Sequence, residues 1–294
     1  LAFELREASK CTWRDAFWRH KEEAMDLDFK GRTIVVTGGG RGICRVMCAT
    51  FAREGANVVA ADILPDDARV GDDGTTTEQE CMSHGVRASY IHTDVTQLDS
   101  VMKMRDEVME TYGQIDVLVN GAAWWENGYF WESNPASWAK EMNVIMLGSM
   151  NCCKAIAEPM MKAKSGAIVN IASDAGRGGE SRQVTYGASK AGIIGLTRGL
   201  ALELGYHKIR VNCVAPGRTQ TPRGIADREA ALAVGEKEAE AYLEREKRAL
   251  RVYALRKFGK MQDVANMVVF LSSPSGAGHV TGQTISVSGG YTMV

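Results

Sequence analysis

Long hydrophobic runs are missing from this chain of 294 residues. Apolar side chains make up 45% of it but come in short stretches broken by charge, whereas a membrane-spanning helix needs roughly 20 in a row. A surplus of either charge is missing too. Lysine and arginine total 35 against 36 acidic residues, which argues against nucleic acid and anionic lipid as partners and leaves small neutral ligands or modest anions. The seven cysteines (Cys11, Cys44, Cys48, Cys81, Cys152, Cys153 and Cys213) have no metal-ligand spacing and are odd in number. No metal site is expected from them, and reduced thiols suit a cytoplasmic protein. Residues 1–30 are studded with charge and lack the apolar segment of a signal peptide. No Pro- or Ser-rich linker and no internal repeat divide the chain after Gly31.

What is there falls into two textures. In the first 28 residues, Thr12 and Asp15 have capping-box spacing, and Trp13, Ala16, Phe17 and His20 recur at helical intervals. This predicts an amphipathic arm that packs on its own domain or on a neighbouring subunit. From residue 29 onward, β-branched runs alternate with helical segments: Arg32–Gly38, Asn57–Ile63, Ala88–Val95, Asp116–Ala122, Ala167–Ser173, Ile209–Gly217 and Thr284–Gly290. Near-continuous Val/Ile runs joined by helical crossovers predict an α/β domain with one doubly wound, seven-stranded parallel sheet and helices on both faces. Residues 66–74 read as a polar loop. The charged excursion 221–259 interrupts the strand pattern where substrate lids sit in such sheets.

The first strand runs into "TGGGRGIC", Thr37 to Cys44, and a helical period follows. Gly38 permits the tight turn, Gly42 admits a phosphate close to the backbone, and the helix N-terminus offers free N–H groups. Asp62, about twenty residues on at the end of the second strand, is placed for a ribose 2′-hydroxyl and would repel a 2′-phosphate. NAD is therefore favoured over NADP, although Arg41 leans mildly the other way. Cys44 stands where the turn needs a small residue for helix–strand packing. It reads either as a packing residue or as a redox-sensitive thiol, because a helix N-terminus lowers a thiol pKa.

Further on, "TYGASK" sets Tyr186 and Lys190 on one helix face. A nearby ammonium stabilises phenolate and so pulls a tyrosine towards the working range of a general base.

Taken together, "TGGGRGI", Asp94 in "TDV", "NGAA" from Asn120, Asn143 in "EMNVIMLG", Ser173 in "IVNIAS", "YGASK" and "APGRTQT" occur in an order and spacing that resemble the short-chain dehydrogenase/reductase family from about Phe29 to the C-terminus. That resemblance implies a Rossmann-type fold and a catalytic set in which Tyr186 is the acid/base. Ser173 would hydrogen-bond the substrate oxygen, Lys190 would hold the nicotinamide ribose, and Asn143 would position a relay water. It places Gly38, Arg41, Gly42 and Ile43 at the pyrophosphate end, Asp62 on the adenosine ribose, and Asp94 and Val95 at the adenine. Asn120 and Ala122 would line the middle of the cofactor, and Pro216, Gly217, Thr219 and Thr221 its nicotinamide end. It also implies a homotetramer. The sequence departs from the family pattern at Cys44, at Gly121 (the second asparagine of "NNAG") and at Ala123 (its glycine). Each departure keeps a small side chain, and the four catalytic side chains remain.

The expected reaction is NAD-dependent interconversion of a secondary alcohol, cyclic or hydrophobic, with its ketone. A 3-oxoacyl-thioester reductase and a non-catalytic partner subunit are the alternatives. Trp124, Trp125, Asp174, Arg182, Gln183 and Arg218 are the candidate substrate residues. The two tryptophans read as a wall for a ring or as core or subunit contacts; Arg177, Arg182 and Arg218 read as an anion clamp or as solvated charges.

Overall fold

The computed structural model describes residues 26–65, 71 and 74–293. The predicted arm lies outside them except for its last three residues, and the polar loop except for Gly71 and Gly74. Where the described chain begins, the Leu27 carbonyl accepts a hydrogen bond from Ser273 Oγ (2.9 Å), tying the entry to the far end of the domain.

In chain order the elements are β1 (Thr33–Thr37), α1 (Gly42–Arg53), β2 (Asn57–Asp62), α2 (Thr77–Met82), β3 (Ala88–His92), α3 (Leu98–Tyr112) and β4 (Val117–Asn120). Next come α4 (Pro135–Met142), a π-helical segment (Asn143–Leu147), α5 (Gly148–Ala163), β5 (Gly166–Ile171), α6 (Ala175–Gly178), α7 (Val184–Gly205) and β6 (Ile209–Pro216). The chain closes with β7 (Thr219–Gln220), α8 (Pro222–Ala233), α9 (Glu236–Leu250), β8 (Gly259–Lys260), α10 (Met261–Ser272) and β9 (Thr284–Val287). Seven strands form one parallel sheet in the order β3-β2-β1-β4-β5-β6-β9. All seven predicted runs are its strands, so the doubly wound Rossmann-type fold holds.

Because side chains alternate along a strand, the central strands β1, β2, β4 and β5 each feed two cores. Ile34, Val36, Val58, Val117 and Val169 pack on one face with Phe51 of α1 and Val264 and Val268 of α10. Val35, Val59, Leu118 and Ile168 pack on the other with Met104 of α3, Ile156 of α5 and Leu204 of α7. Burial on both faces explains why the strands read as unbroken apolar runs. The small β7–β8 pairing (Thr219 with Gly259, Gln220 with Lys260) was not legible in sequence. It pins the two ends of the 221–259 excursion together, while α8 and α9 are cross-linked by Arg228 Nε on Glu246 Oε2 at 3.3 Å.

Candidate active site

Order reverses between β1 and β4, and the carboxyl ends of the strands around this switch point carry the predicted residues, as the geometry of open α/β sheets dictates. Gly38 has φ +72°, and a Cβ there would stand 3.0 Å from the Ala122 Cα, so only glycine lets the turn pass under the end of β4. Gly42 also has positive φ but faces open space, with no atom within 4 Å of a Cβ position. The α1 N-terminus beside it has neither a side-chain cap nor an acidic residue in its first turn. Bare helical N–H groups over an open glycine are what a pyrophosphate requires. Asp62 is buried, with Oδ2 accepting from the Gly40 N–H (2.9 Å) and Oδ1 from the Ile63 (2.7 Å) and Leu64 (3.2 Å) N–H groups. Three backbone donors thus fix the carboxylate at the rim of the turn. The residues present fit a nicotinamide dinucleotide.

Two contacts that sequence reasoning missed lock this cradle. Thr37 Oγ1 accepts from the N–H groups of Gly121 (3.0 Å) and Ala122 (3.3 Å), joining the ends of β1 and β4. Thr77 Oγ1 donates to the Gly39 carbonyl at 2.9 Å. Neither the threonine that ends β1 nor the one that opens α2 gives any sign of its partner, because both partners arrive from distant sequence.

Cys44 and Gly121 are complementary. A Cβ on Gly121 would lie 2.4 Å from Cys44 Sγ, so the cysteine sulfur fills the room that the glycine leaves. Two of the three departures from the family pattern are therefore one packing exchange across the α1–β4 contact. The redox reading of Cys44 is not supported. The thiol is buried and pushed up to about 12, first by burial and then by the Asp62 charge, so the helix N-terminus does not activate it.

At the other end of the site, Tyr186 and Lys190 enter on α7 and Ser173 follows β5. Ser173 lies beside the Tyr186 hydroxyl and favours its ionised form, and its own Oγ accepts from the Ala175 N–H at 3.2 Å. Lys190 is 3% exposed, and its Nζ donates to the Ile171 carbonyl (2.6 Å) and stands 5.7 Å from the Tyr186 ring centre. The expectation that this ammonium draws the phenol pKa down is corrected here. Burial pushes Tyr186 up to about 12, with only the neighbouring Ser173 opposing and the charges of Glu180 and Glu141 adding. Burial likewise lowers Lys190 to about 8. Asn143 opens the π-helical segment and is exposed. Such one-turn widenings of a helix gather at functional sites, and the helical period of the sequence did not reveal this one.

Lys190 also carries a stability signature. An unfolded lysine titrates at the ordinary 10.5 and the folded one at about 8, so between those values the unfolded chain holds more protons and stability gains with rising pH from this residue. The penalty is full below pH 8 and relieved above 10.5. The buried cysteines act oppositely at alkaline pH, so the comparison is between the protein and Lys190→Met. Unfolding free energies from urea titrations between pH 8 and 10 should rise relative to the variant, by at most about 1.4 kcal/mol per pH unit.

The remaining predicted residues divide. Asp94 Oδ1 accepts from the Thr96 N–H (2.9 Å) and hydroxyl (2.7 Å), and the Val95 carbonyl accepts from Asn151 (2.9 Å). The Asn120 side chain turns into the core, donating to Asn170 Oδ1 at 2.8 Å. Arg41 is exposed at the mouth of the turn, with Ile43 half-buried behind it. Pro216 is buried in β6, and a Cβ on Gly217 would meet Ser288 Cβ at 2.7 Å. Thr219 Oγ1 donates to the Gly217 carbonyl (3.1 Å), and Thr221 caps α8 by accepting from the Gly224 N–H (3.2 Å).

Of the candidate substrate residues, Trp125 packs on Tyr186 with ring centres 5.4 Å apart. Trp124 lies under Lys140, whose Nζ is 3.9 Å from its ring centre. Gln183 donates to Asn127 Oδ1 at 2.9 Å. Asp174 is 1% exposed and bonded to the Ser286 hydroxyl, which directs it into the sheet rather than towards substrate. The three arginines each have a separate partner. Arg177 donates to the Thr284 carbonyl (3.1 Å), Arg182 faces the Tyr129 ring and Arg218 the Phe258 ring.

Residues 32–231 match the sequence model of the short chain dehydrogenase family. This chain is a short-chain dehydrogenase/reductase. A 3-oxoacyl-[acyl-carrier-protein] reductase of Thermotoga maritima is 34% identical over 91% of this chain and all of its own length. The (2S)-[(R)-hydroxy(phenyl)methyl]succinyl-CoA dehydrogenase subunit BbsD of Thauera aromatica is also 34% identical, over 91% of the chain and 99% of its own. Among solved structures, a short-chain type dehydrogenase/reductase from Mycobacterium ulcerans is 30% identical with a TM-score of 0.78, covering 90% of each chain. An NAD+-bound xylitol dehydrogenase is 26% identical with the same score, covering 90% of this chain and 100% of its own. The dehydrogenase is therefore a nicotinamide-dependent oxidoreductase. No described helix is long and apolar enough to cross a membrane.

Proposed function

We propose that this short-chain dehydrogenase oxidises a secondary alcohol to its ketone with NAD, and runs the reverse reduction, by way of Tyr186. The observation that carries the reading is the meeting of Ser173, Tyr186 under the Trp125 ring and the buried Lys190 next to the open glycine cradle. Bound nicotinamide supplies the hydride acceptor in one direction and the donor in the other. In oxidation Ser173 fixes the hydroxyl oxygen and the Tyr186 oxygen takes its proton. In reduction the phenol returns that proton to the ketone oxygen. Asn143 holds a water on the path that refills Tyr186, and Trp125 covers the phenol ring and restricts water around it.

Asp62 supports NAD. Its two oxygens, already oriented by three N–H groups, retain lone pairs for a ribose hydroxyl and repel a phosphate. Asp62→Ser should reverse the preference, with kcat/KM for NADP rising relative to NAD by about tenfold or more, the scale of removing one charge repulsion. Unchanged preference would place the coenzyme discriminator elsewhere.

The names of the 34% identical relatives favour a second reading, an NADPH-dependent 3-oxoacyl-thioester reductase. Acetoacetyl-CoA with NADPH tests it directly against cyclic ketones with NADH. A non-catalytic partner subunit remains a third reading, and coenzyme titration tests it. At a hundred times its Kd, a bound coenzyme adds about 2.7 kcal/mol; no thermal stabilisation would leave only the scaffold.

The same reading makes the α8–α9 excursion, hinged at the β7–β8 pair, the lid over the substrate. It also makes the protein a homotetramer of a single dinucleotide-binding domain, with the N-terminal arm packed on it or on a neighbour, acting in the cytoplasm on a small alcohol or ketone. Leu147, Met150, Leu202 (84% exposed) and Tyr206 (91%) stand bare on the π-helical segment, on α5, on α7 and just past its end, and burying such surface favours assembly. Light scattering should give four times the 32.0 kDa chain.

A further inference from the structure

Beside Tyr186 a cavity of about 380 Å3 runs between the 126–134 loop, α4 and the start of α7. Phe130 and Trp138, stacked at 4.9 Å, give it an apolar wall. Its charged lining is lopsided: Glu126, Glu132 and Glu141 against Arg182. Glu141 is the unusual member. It is 3% exposed, with Oε1 accepting from the Glu126 N–H at 2.8 Å, while Oε2 is buried with no hydrogen-bond partner among the described residues. Lys140, its sequence neighbour, is committed to the Trp124 ring instead.

We propose that the substrate carries, besides its carbinol, a second hydrogen-bond donor, a hydroxyl or an ammonium, and that the unpartnered oxygen of Glu141 accepts it and so sets substrate choice. Anchoring one N–H needs a single acceptor, which a glutamine would supply without charge. A carboxylate buried at that place holds a further acceptor that nothing in the protein satisfies, and such groups are costly unless a ligand completes them. Burial, with the Glu126 N–H opposing and the Glu126 charge adding, pushes the Glu141 carboxyl above its ordinary range; a donor from the ligand, an ammonium above all, would favour its ionised, accepting form. The same three carboxylates disfavour anionic thioester carriers. This inference rests on the alcohol dehydrogenase reading above.

The test pairs alcohols on one ring: cyclohexanol against 1,2- and 1,3-cyclohexanediol and the corresponding amino alcohols, with NAD. The readout is the ratio of kcat/KM for the donor-bearing alcohol to that for cyclohexanol, which is independent of the fraction of protein folded. In the native enzyme at least one ratio should exceed about ten, and Glu141→Gln should lower it by about tenfold or more. Diols against amino alcohols tell a hydroxyl from an ammonium. Ratios at or below one, or ratios that Glu141→Gln leaves unmoved, overturn the proposal. If no alcohol turns over, the dehydrogenase reading fails, and ligand-observed NMR of the same compounds on the NAD-loaded protein then decides the acceptor role. Binding weakened by Glu141→Gln upholds it, and binding absent or unchanged ends it.

Discussion

Tyr186→Phe should lower turnover of any alcohol by about 10²- to 10⁴-fold, the range a positioned acid/base contributes, while the thermal shift induced by NAD stays as in the native enzyme. The phenyl ring keeps the packing against Trp125 and removes only the oxygen that Ser173 contacts. The pH profile follows from the same oxygen. Oxidation needs the phenolate, and burial holds the phenol at about 12 in the free protein, so log kcat/KM for the alcohol should climb with a slope near one across neutral pH. Reduction needs the protonated phenol and should be flat over the same range. A Tyr186→Phe enzyme that retained more than a tenth of native activity would move the proton transfer to another group. Loss of coenzyme binding in that variant would instead make the tyrosine structural.

Gly121→Ala should destabilise the protein by about 1–3 kcal/mol, the cost of overpacking a filled contact, because the added methyl meets Cys44 Sγ at 2.4 Å and the Thr37 carbonyl at 2.9 Å. The double variant Cys44→Gly/Gly121→Ala should recover part of that loss, giving a coupling of about 0.5–3 kcal/mol between the two sites. The recovery is partial because the Thr37 contact persists and glycine weakens the start of a helix. Chemical denaturation of the four proteins in the cycle measures the coupling. Additive effects would mean that sulfur and glycine do not share the space. Coenzyme affinity should follow the same cycle, since Gly121 adjoins the Thr37 clasp on the phosphate turn.

Both predictions draw on motifs visible in sequence, but in different degrees. Tyr186 and Lys190 share a helix face by spacing alone, and Ser173 ends an apolar run, so their meeting was legible once the sheet order was granted. Their electrostatics were not. The four-residue spacing suggested that the ammonium serves the phenol, whereas the fold gives Lys190 to the Ile171 carbonyl and shifts both groups by burial. Burial depends on every element packed around the pair, and no local pattern reports it. Asp174 failed for a related reason. Its position after the serine suggested substrate, but the last strand, more than a hundred residues on, supplies Ser286 and covers it.

What the sequence by itself determined was the periodic content: seven parallel strands, the glycine turn into α1, the acid that ends β2, and the tyrosine and lysine one helical turn apart. These follow from short-range sterics, hydrogen-bond geometry and the alternation of apolar side chains, all of which act within a few residues. Only the tertiary structure decided which partners those residues meet. It paired Cys44 with Gly121 across an α1–β4 contact, clasped β1 to β4 through Thr37, and left one oxygen of Glu141 alone beside the Tyr186 cavity. Each of these is a question of steric volume or of an unsatisfied polar atom, and those quantities exist only when distant segments are brought within a few ångströms of one another.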